Sequence, residues 1–265
     1  MRSFFRACER EGVRYLLISG QAAVLYGASA FTEDTDVWID PAPANVRRFL
    51  RALRRARARA YKLTPPMTAR FIRRGHGFHF TLPDPPPVSY LDVMGRPPRV
   101  GRFADAAGRA RTEKTPWGRI PVVAIEDLVE LKKTRRYQDY DTISNLARLR
   151  LERHDEGKTP PPPPRLLRWA LNNLFRAEDL VRVLESRPEA RPEAARSGRP
   201  ALRALVDTRS FRLRRGGRAL AACRRAIALE VARLQEKDVR YWSPVMRELR
   251  VLRAKGLLLE VGSRV

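Results

Sequence analysis

SGQAAVLYGASAFTEDTDVWID, residues 19–40, is the stretch on which the reading of this chain turns. It follows VRYLLIS (13–19), a short apolar run that reads as a buried strand. Ser19-Gly20 punctuates that run, and QAAVLYGA (21–28) then reads as a short helix. DTDVWID (34–40) alternates and reads as a second strand, stopped by Pro41. In a strand, residues i and i+2 share a face. Asp34 and Asp36 therefore project together, while Val37 and Ile39 point to the opposite, core face. Asp40 shares the even-numbered face but stands at the strand exit, where a helix cap is the expected role.

Moving outward, PANVRRFLRALRRARAR (43–59) spaces Val46, Phe49, Leu50 and Leu53 as one helical face. GFHFTL (77–82) and VSYLDVM (88–94) read as two strands of a hairpin joined by the stiff loop PDPPP, in which Asp84 is a solvated residue. His76 and His79, three apart, point to opposite faces and do not read as a shared metal site. RIPVVA (119–124) is a last strand, and IEDLVELKKTRRY (125–137) and DTISNLARLRLE (141–152) are helices.

An acid inside the apolar strand VSYLDVM costs free energy unless something pairs with it, and Asp92 is such an acid. Two carboxylates side by side, Asp34 and Asp36, are costly for a second reason, mutual repulsion. A divalent cation relieves both costs. Mg²⁺ takes hard oxygen ligands and commonly joins one or two carboxylates to substrate phosphates. The turn ahead of the acids supplies the other half of such a site. Gly20 permits close backbone approach, the helix start at Gln21 offers free N–H groups to an anion, and the Ser19 hydroxyl adds a donor. A phosphate-binding turn followed by a two-carboxylate metal site is what nucleotidyl transfer requires.

This stretch resembles the signature of the DNA polymerase β-like nucleotidyltransferase superfamily: a Gly-Gly or Gly-Ser turn, about a dozen residues, then Asp-x-Asp. Within it the pattern is similar to the AbiEii-type toxin family, with Gly20, Ala22, Gly27, Thr32, Asp34 and Asp36 in register. Ser19 replaces the first glycine, and Ala30 stands where that family usually has Arg. Downstream, Leu91-Asp92-Val93 fits the family's third acid, and VVAIEDLVELKKTRRYQDYDTI is similar to its next segment, with Lys132 in the Lys position. The Arg and Lys-Asp pattern that follows is matched only in part, by Arg136 and Gln138-Asp139. The resemblance covers roughly residues 10–150. It implies the nucleotidyltransferase fold, a mixed α/β sheet flanked by helices. It further implies that Asp34, Asp36 and Asp92 bind Mg²⁺, that Asp92 helps deprotonate the acceptor hydroxyl, that Ser19 and Gly20 hold the β/γ-phosphates, and that Lys132 contacts the triphosphate. Read from the residues alone, Lys132 and its neighbour Lys133 fit a solvated helix face equally well.

Across the whole chain, 54 Lys and Arg oppose 29 Asp and Glu, a formal net charge of +25, and the basic residues are overwhelmingly arginine. Two readings stand: attraction to a nucleic-acid backbone, or the compositional bias of GC-rich coding. The same pair applies to the Arg-rich helix 43–59, which either tracks RNA or is a solvated face. At 43% hydrophobic the chain can bury a core. No apolar run approaches a membrane span, no signal peptide is recognisable, and Cys8 and Cys223 form no pairing pattern, so a cytoplasmic setting without membrane is expected. The prolines 160–164 read as a polyproline linker between a nucleotidyltransferase domain (1–159) and an all-α region (165–265). In that region SRPEARPEAARSGRP (186–200) reads as a polar linker, and Ser243-Pro244 as the start of a last helix, separate from the one over 220–237.

The expected function is Mg²⁺-dependent transfer of a nucleotide from an NTP to an acceptor, an RNA end with tRNA as first choice, in a toxin-like role beside an antitoxin protein. Two alternatives stand: nucleotidylation of a small molecule or protein, and a non-catalytic nucleic-acid-binding or toxin–antitoxin partner.

Overall fold

The apolar runs read from the sequence become strands of one sheet. A computed structural model describes residues 1–83, 89–156, 161–214 and 216–265. The chain divides into two compact units, Met1–Leu25, Ser29–Leu131 and Arg240–Val265 in the first, Tyr26–Ala28 and Lys132–Val239 in the second. The division therefore does not follow the proline run. Pro160 and the loop residues 84–88, Asp84 among them, lie outside the described residues; Pro163 is extended (φ −62°, ψ 149°) and Pro164 opens a helix.

The first unit runs α1 (Arg2–Arg10), β1 (Tyr15–Ile18), α2 (Ser19–Tyr26), β2 (Asp34–Ile39), α3 (Pro43–Arg55), β3 (Arg59–Ala60), α4 (Ala69–Arg73), β4 (Gly77–Leu82), β5 (Ser89–Met94), α5 (Phe103–Arg109), β6 (Arg111–Thr115), β7 (Gly118–Val122) and α6 (Ile125–Leu131). Among the described residues its sheet has seven strands in the order β3-β4-β5-β2-β1-β7-β6. β2 and β5 are parallel, as are β1 and β7, and the other neighbours are antiparallel. The sheet is thus mixed and flanked by helices, the α/β class expected.

Strand alternation settles which side is core. Leu17, Val37, Ile39, Phe78, Phe80, Leu91 and Val93 are fully buried. The residues between them on β2, β4 and β5 (Asp34, Asp36, His79, Thr81, Tyr90 and Asp92) keep part of their surface exposed. That second face closes beyond Asp36, where Trp38 is buried, packs edge-on to Phe103 at 5.6 Å and donates Nε1–H to the Gly95 carbonyl. α3 buries Val46, Phe49 and Leu53, and Phe49 meets Phe4 of α1 edge-to-face at 5.9 Å. At the β3 edge the end of the chain adds one more pairing: Ala60 N–H donates to Ser263 O at 2.9 Å and Gly262 N–H to Ala60 O at 2.8 Å.

The second unit is helical: α7 (Gln138–Glu156), α8 (Pro164–Asn173), α9 (Ala177–Ser186), α10 (Ala190–Arg196), α11 (Pro200–Leu205) and α12 (Gly217–Ala254), the last reaching into the first unit's residues from Arg240 on. α7 packs with α8, and Tyr140 meets Phe175 edge-on at 5.1 Å. Three expectations are corrected here. The helix expected over 125–137 ends at Leu131. The polar stretch 186–200 holds a helix, α10, because Pro192 lies in its first turn, where no N–H donor is needed. The two final helices are one, running through Pro244.

Candidate active site

Register brings the acids together. Asp36 pairs with Ile18 of β1 on one side and with Asp92 of β5 on the other, and Asp92 pairs in turn with His79 of β4. Ile18, Asp36, Asp92 and His79 therefore form one row across four strands. Asp34 stands two residues from Asp36, paired with Tyr90. The next residue after Ile18 is Ser19, so the turn that opens α2 lies at the end of the strand beside Asp36. Three of the residue groups singled out by sequence, the Ser-Gly turn, the Asp-x-Asp pair and Asp92, are thus neighbours on adjoining strands.

The turn has the backbone that its composition implies. Ser19 has φ +58°, the left-handed region, which explains why a glycine suits this position and a serine occupies it at a cost of about 1–2 kcal/mol. Gly20 is required by contact rather than by dihedral: a Cβ there would fall 2.5 Å from Thr32 Oγ1 and 2.9 Å from Thr32 Cβ. Thr32 thereby holds the loop that leads into β2 against the turn. Gly20→Ala is expected to cost about 1–3 kcal/mol of stability by overpacking. Gly20→Ala/Thr32→Ala should recover part of it, a coupling that denaturant unfolding of the single and double variants measures.

His79, read from the sequence only as pointing away from His76, meets Asp92. Its Nδ1 lies 2.7 Å from Asp92 Oδ1, with the two side chains 27% and 24% exposed. An ionised carboxylate has no proton, so the ring nitrogen donates, and His79 fixes the orientation of Asp92. The hairpin register decides this contact, and periodicity alone does not supply it. Closing the hairpin on residues 82 and 88 sets His79 opposite Leu91, whereas the observed pairing of Leu82 with Ser89 sets it opposite Asp92. His76 is buried elsewhere, with Nε2 2.8 Å from Glu248 Oε2.

Lys132 lies in the second unit, just past α6, and is buried. Its Nζ donates to Asp139 Oδ1 at 2.9 Å, and Thr134 and Arg136 also donate to that carboxylate. Burial, the largest influence on Asp139, raises its pKa. Lys132, Thr134 and Arg136 together outweigh burial and hold the carboxyl below its ordinary value of 3.8. The charge of Lys132 is thus met within its own unit.

The acids test the fit of Mg²⁺ by their chemistry. Asp36 and Asp92 offer hard oxygens from directly paired positions, and Mg²⁺ is commonly held by one or two carboxylates with phosphates and waters completing its shell. Among the described residues, no group of three or more His, Cys, Asp or Glu is gathered tightly enough to hold a metal.

No protein-family model and no curated protein matches the chain. Among solved structures, the crystal structure of JHP933 from Helicobacter pylori is similar, with a TM-score of 0.40 and 12% sequence identity over 93% of this chain and 94% of that one.

Proposed function

We propose that the first unit adopts the nucleotidyltransferase fold and transfers a nucleotide from an NTP to an acceptor hydroxyl with Mg²⁺. The observation that carries the proposal is the row Ile18–Asp36–Asp92–His79, with the Ser19-Gly20 turn at its end. This row sets a carboxylate pair beside backbone suited to phosphate. In this reading Ser19, Gly20 and Gln21 orient the β- and γ-phosphates through N–H groups and the Ser19 hydroxyl. Asp36 and Asp92, with Asp34 beside them, would hold Mg²⁺, which when bound supplies neutralisation of the triphosphate charge. Asp92, fixed by His79, takes the proton of the acceptor hydroxyl. Bond making is in line at the α-phosphate, with pyrophosphate leaving, so positioning carries most of the rate. Lys132 is left out of the phosphate contacts because Asp139 already engages it. An RNA end as acceptor, the toxin-like role and an antitoxin partner come from the resemblance in sequence.

The test is incubation with each labelled NTP, Mg²⁺ and total RNA. Label in an RNA band supports the proposal, and RNA binding without transfer from any of the four NTPs favours the non-catalytic alternative. His79 is a positioning residue in this scheme. His79→Ala should lower the transfer rate about 10–100-fold. His79→Asn, which keeps a donor near the Nδ1 position, should restore most of it. Equal losses in the two variants would remove the orienting role.

A further inference from the structure

The exposed face of the sheet continues from the acids to its β3 edge. Asp34 pairs with Tyr90, Tyr90 with Thr81, Thr81 with Arg59, and Arg59 with Arg264 of the returning chain end. Directly paired residues project to the same side, so Arg264, Arg59, Thr81, Tyr90 and Asp34 make a second row beside the acid row. Three strand spacings separate Arg59 from Asp34, about 14 Å. Between them Tyr90 packs against Tyr61, ring centroids 5.0 Å apart.

At the edge, Arg54, Arg57, Arg59 and Arg264 line a cavity of 590 Å³. Arg54 Nε donates to Val265 O and Arg59 to Gly262 O. Among the described residues no carboxylate side chain pairs with any of the four. Arg51 and Arg55, one turn away on α3, behave differently: both are tied to Glu11. Arg57 stands out further. Its N–H donates to Arg54 O at 3.0 Å and Ala58 N–H to Leu53 O at 2.9 Å, the paired bonds that close a helix end. That closure needs a left-handed residue, normally glycine, and Arg57 takes it with φ +54°. The helix closure accounts for the backbone of Arg57, and it leaves the exposed side chain lining the cavity beside Arg54, Arg59 and Arg264.

We propose that Arg54, Arg57, Arg59 and Arg264 bind the phosphodiester backbone of a single-stranded nucleic acid, whose end runs past the Tyr61–Tyr90 pair to the acids. Guanidinium groups suit phosphate oxygens in this number and exposure, and the aromatic pair suits bases. The proposal rests on the acceptor being a nucleic acid. It assigns part of the chain's charge to a defined site and leaves Arg51 and Arg55 of α3 to ordinary pairing with Glu11.

The test is binding of a labelled single-stranded RNA of about 20 nucleotides to the full chain, by anisotropy, at a series of salt concentrations. No NTP is present, so binding can fail while transfer succeeds, and the reverse. Arg57→Gly/Arg264→Gln should flatten the slope of log K against log salt by about 1.4. Arg51→Gln/Arg55→Gln, with the same loss of charge on Glu11-paired positions, should leave the slope unchanged. Arg57→Gly alone should raise the Tm while weakening RNA binding. Equal flattening in the two double variants, or none in the first, would overturn the proposal. So would loss of inorganic phosphate binding in the first variant with RNA binding intact, since the cavity would then be a free-anion site. Should the first variant unfold, Arg59→Gln/Arg264→Gln gives the same reading.

Discussion

Asp36→Asn is expected to reduce label transfer from NTP to acceptor by at least about 10²-fold, the scale seen when one group that stabilises transition-state charge is removed. The side chain keeps its size and loses only its charge. Asp36 sits between Ile18 and Asp92 on neighbouring strands, next to the Ser19-Gly20 turn, and is partly exposed. The fold should therefore survive the change, which far-UV circular dichroism and Tm verify. Asp92→Asn should fall as far. The double variant should be little worse than either single one, because groups acting as one unit are not additive. Retained transfer in Asp36→Asn, with label incorporation proportional to enzyme, would remove Asp36 from the site and with it the reading that the row is catalytic.

What the sequence made legible follows from periodicity. Period-two alternation in DTDVWID and VSYLDVM put Asp34, Asp36 and Asp92 off the core face, and the burial of Val37, Ile39, Leu91 and Val93 agrees. AEDLVRVLES is a helix over the stretch read, Ala177–Ser186. Periodicity does not give register. That Asp36 faces Asp92, and Asp92 faces His79, depends on how three strands slide against one another, and a slip of one residue reverses every such pairing. Nor does proline always stop a helix. Pro244 was expected to begin one and instead lies inside α12, where tertiary context outweighs the lost N–H. The edge strand β6, RTEKT, carries no apolar alternation to read, since a charged edge protects a sheet from further pairing. Lys132 illustrates the last gap: a helical lysine by pattern, it is buried on Asp139 because α6 ends at Leu131.

Lys132→Met should accordingly destabilise the protein by about 3–5 kcal/mol at neutral pH, the cost of leaving one member of a buried pair uncompensated. Both side chains of the Lys132–Asp139 pair are only 8% exposed. The loss should fall toward the lower end of that range because Thr134 and Arg136 continue to donate to Asp139. The dependence on pH has a definite sign. In the native protein Asp139 titrates below its ordinary 3.8, so its contribution to stability is full above that value and is lost as pH falls through the lower, folded-state value. Without Lys132 the carboxyl loses the largest influence that lowers it and titrates higher than in the native protein, so the variant is penalised most at neutral pH and regains ground on acidification. The stability gap between the two proteins should narrow as pH drops toward 4. Lys132→Met/Asp139→Asn, which removes both charges, should recover much of the loss at pH 7. A phosphate-binding lysine predicts a different pattern: an unchanged unfolding midpoint in Lys132→Met, a raised KM for NTP and no rescue by the second change. Denaturant midpoints at pH 4 and pH 7 decide between the two, and an unchanged midpoint at pH 7 would return Lys132 to the triphosphate.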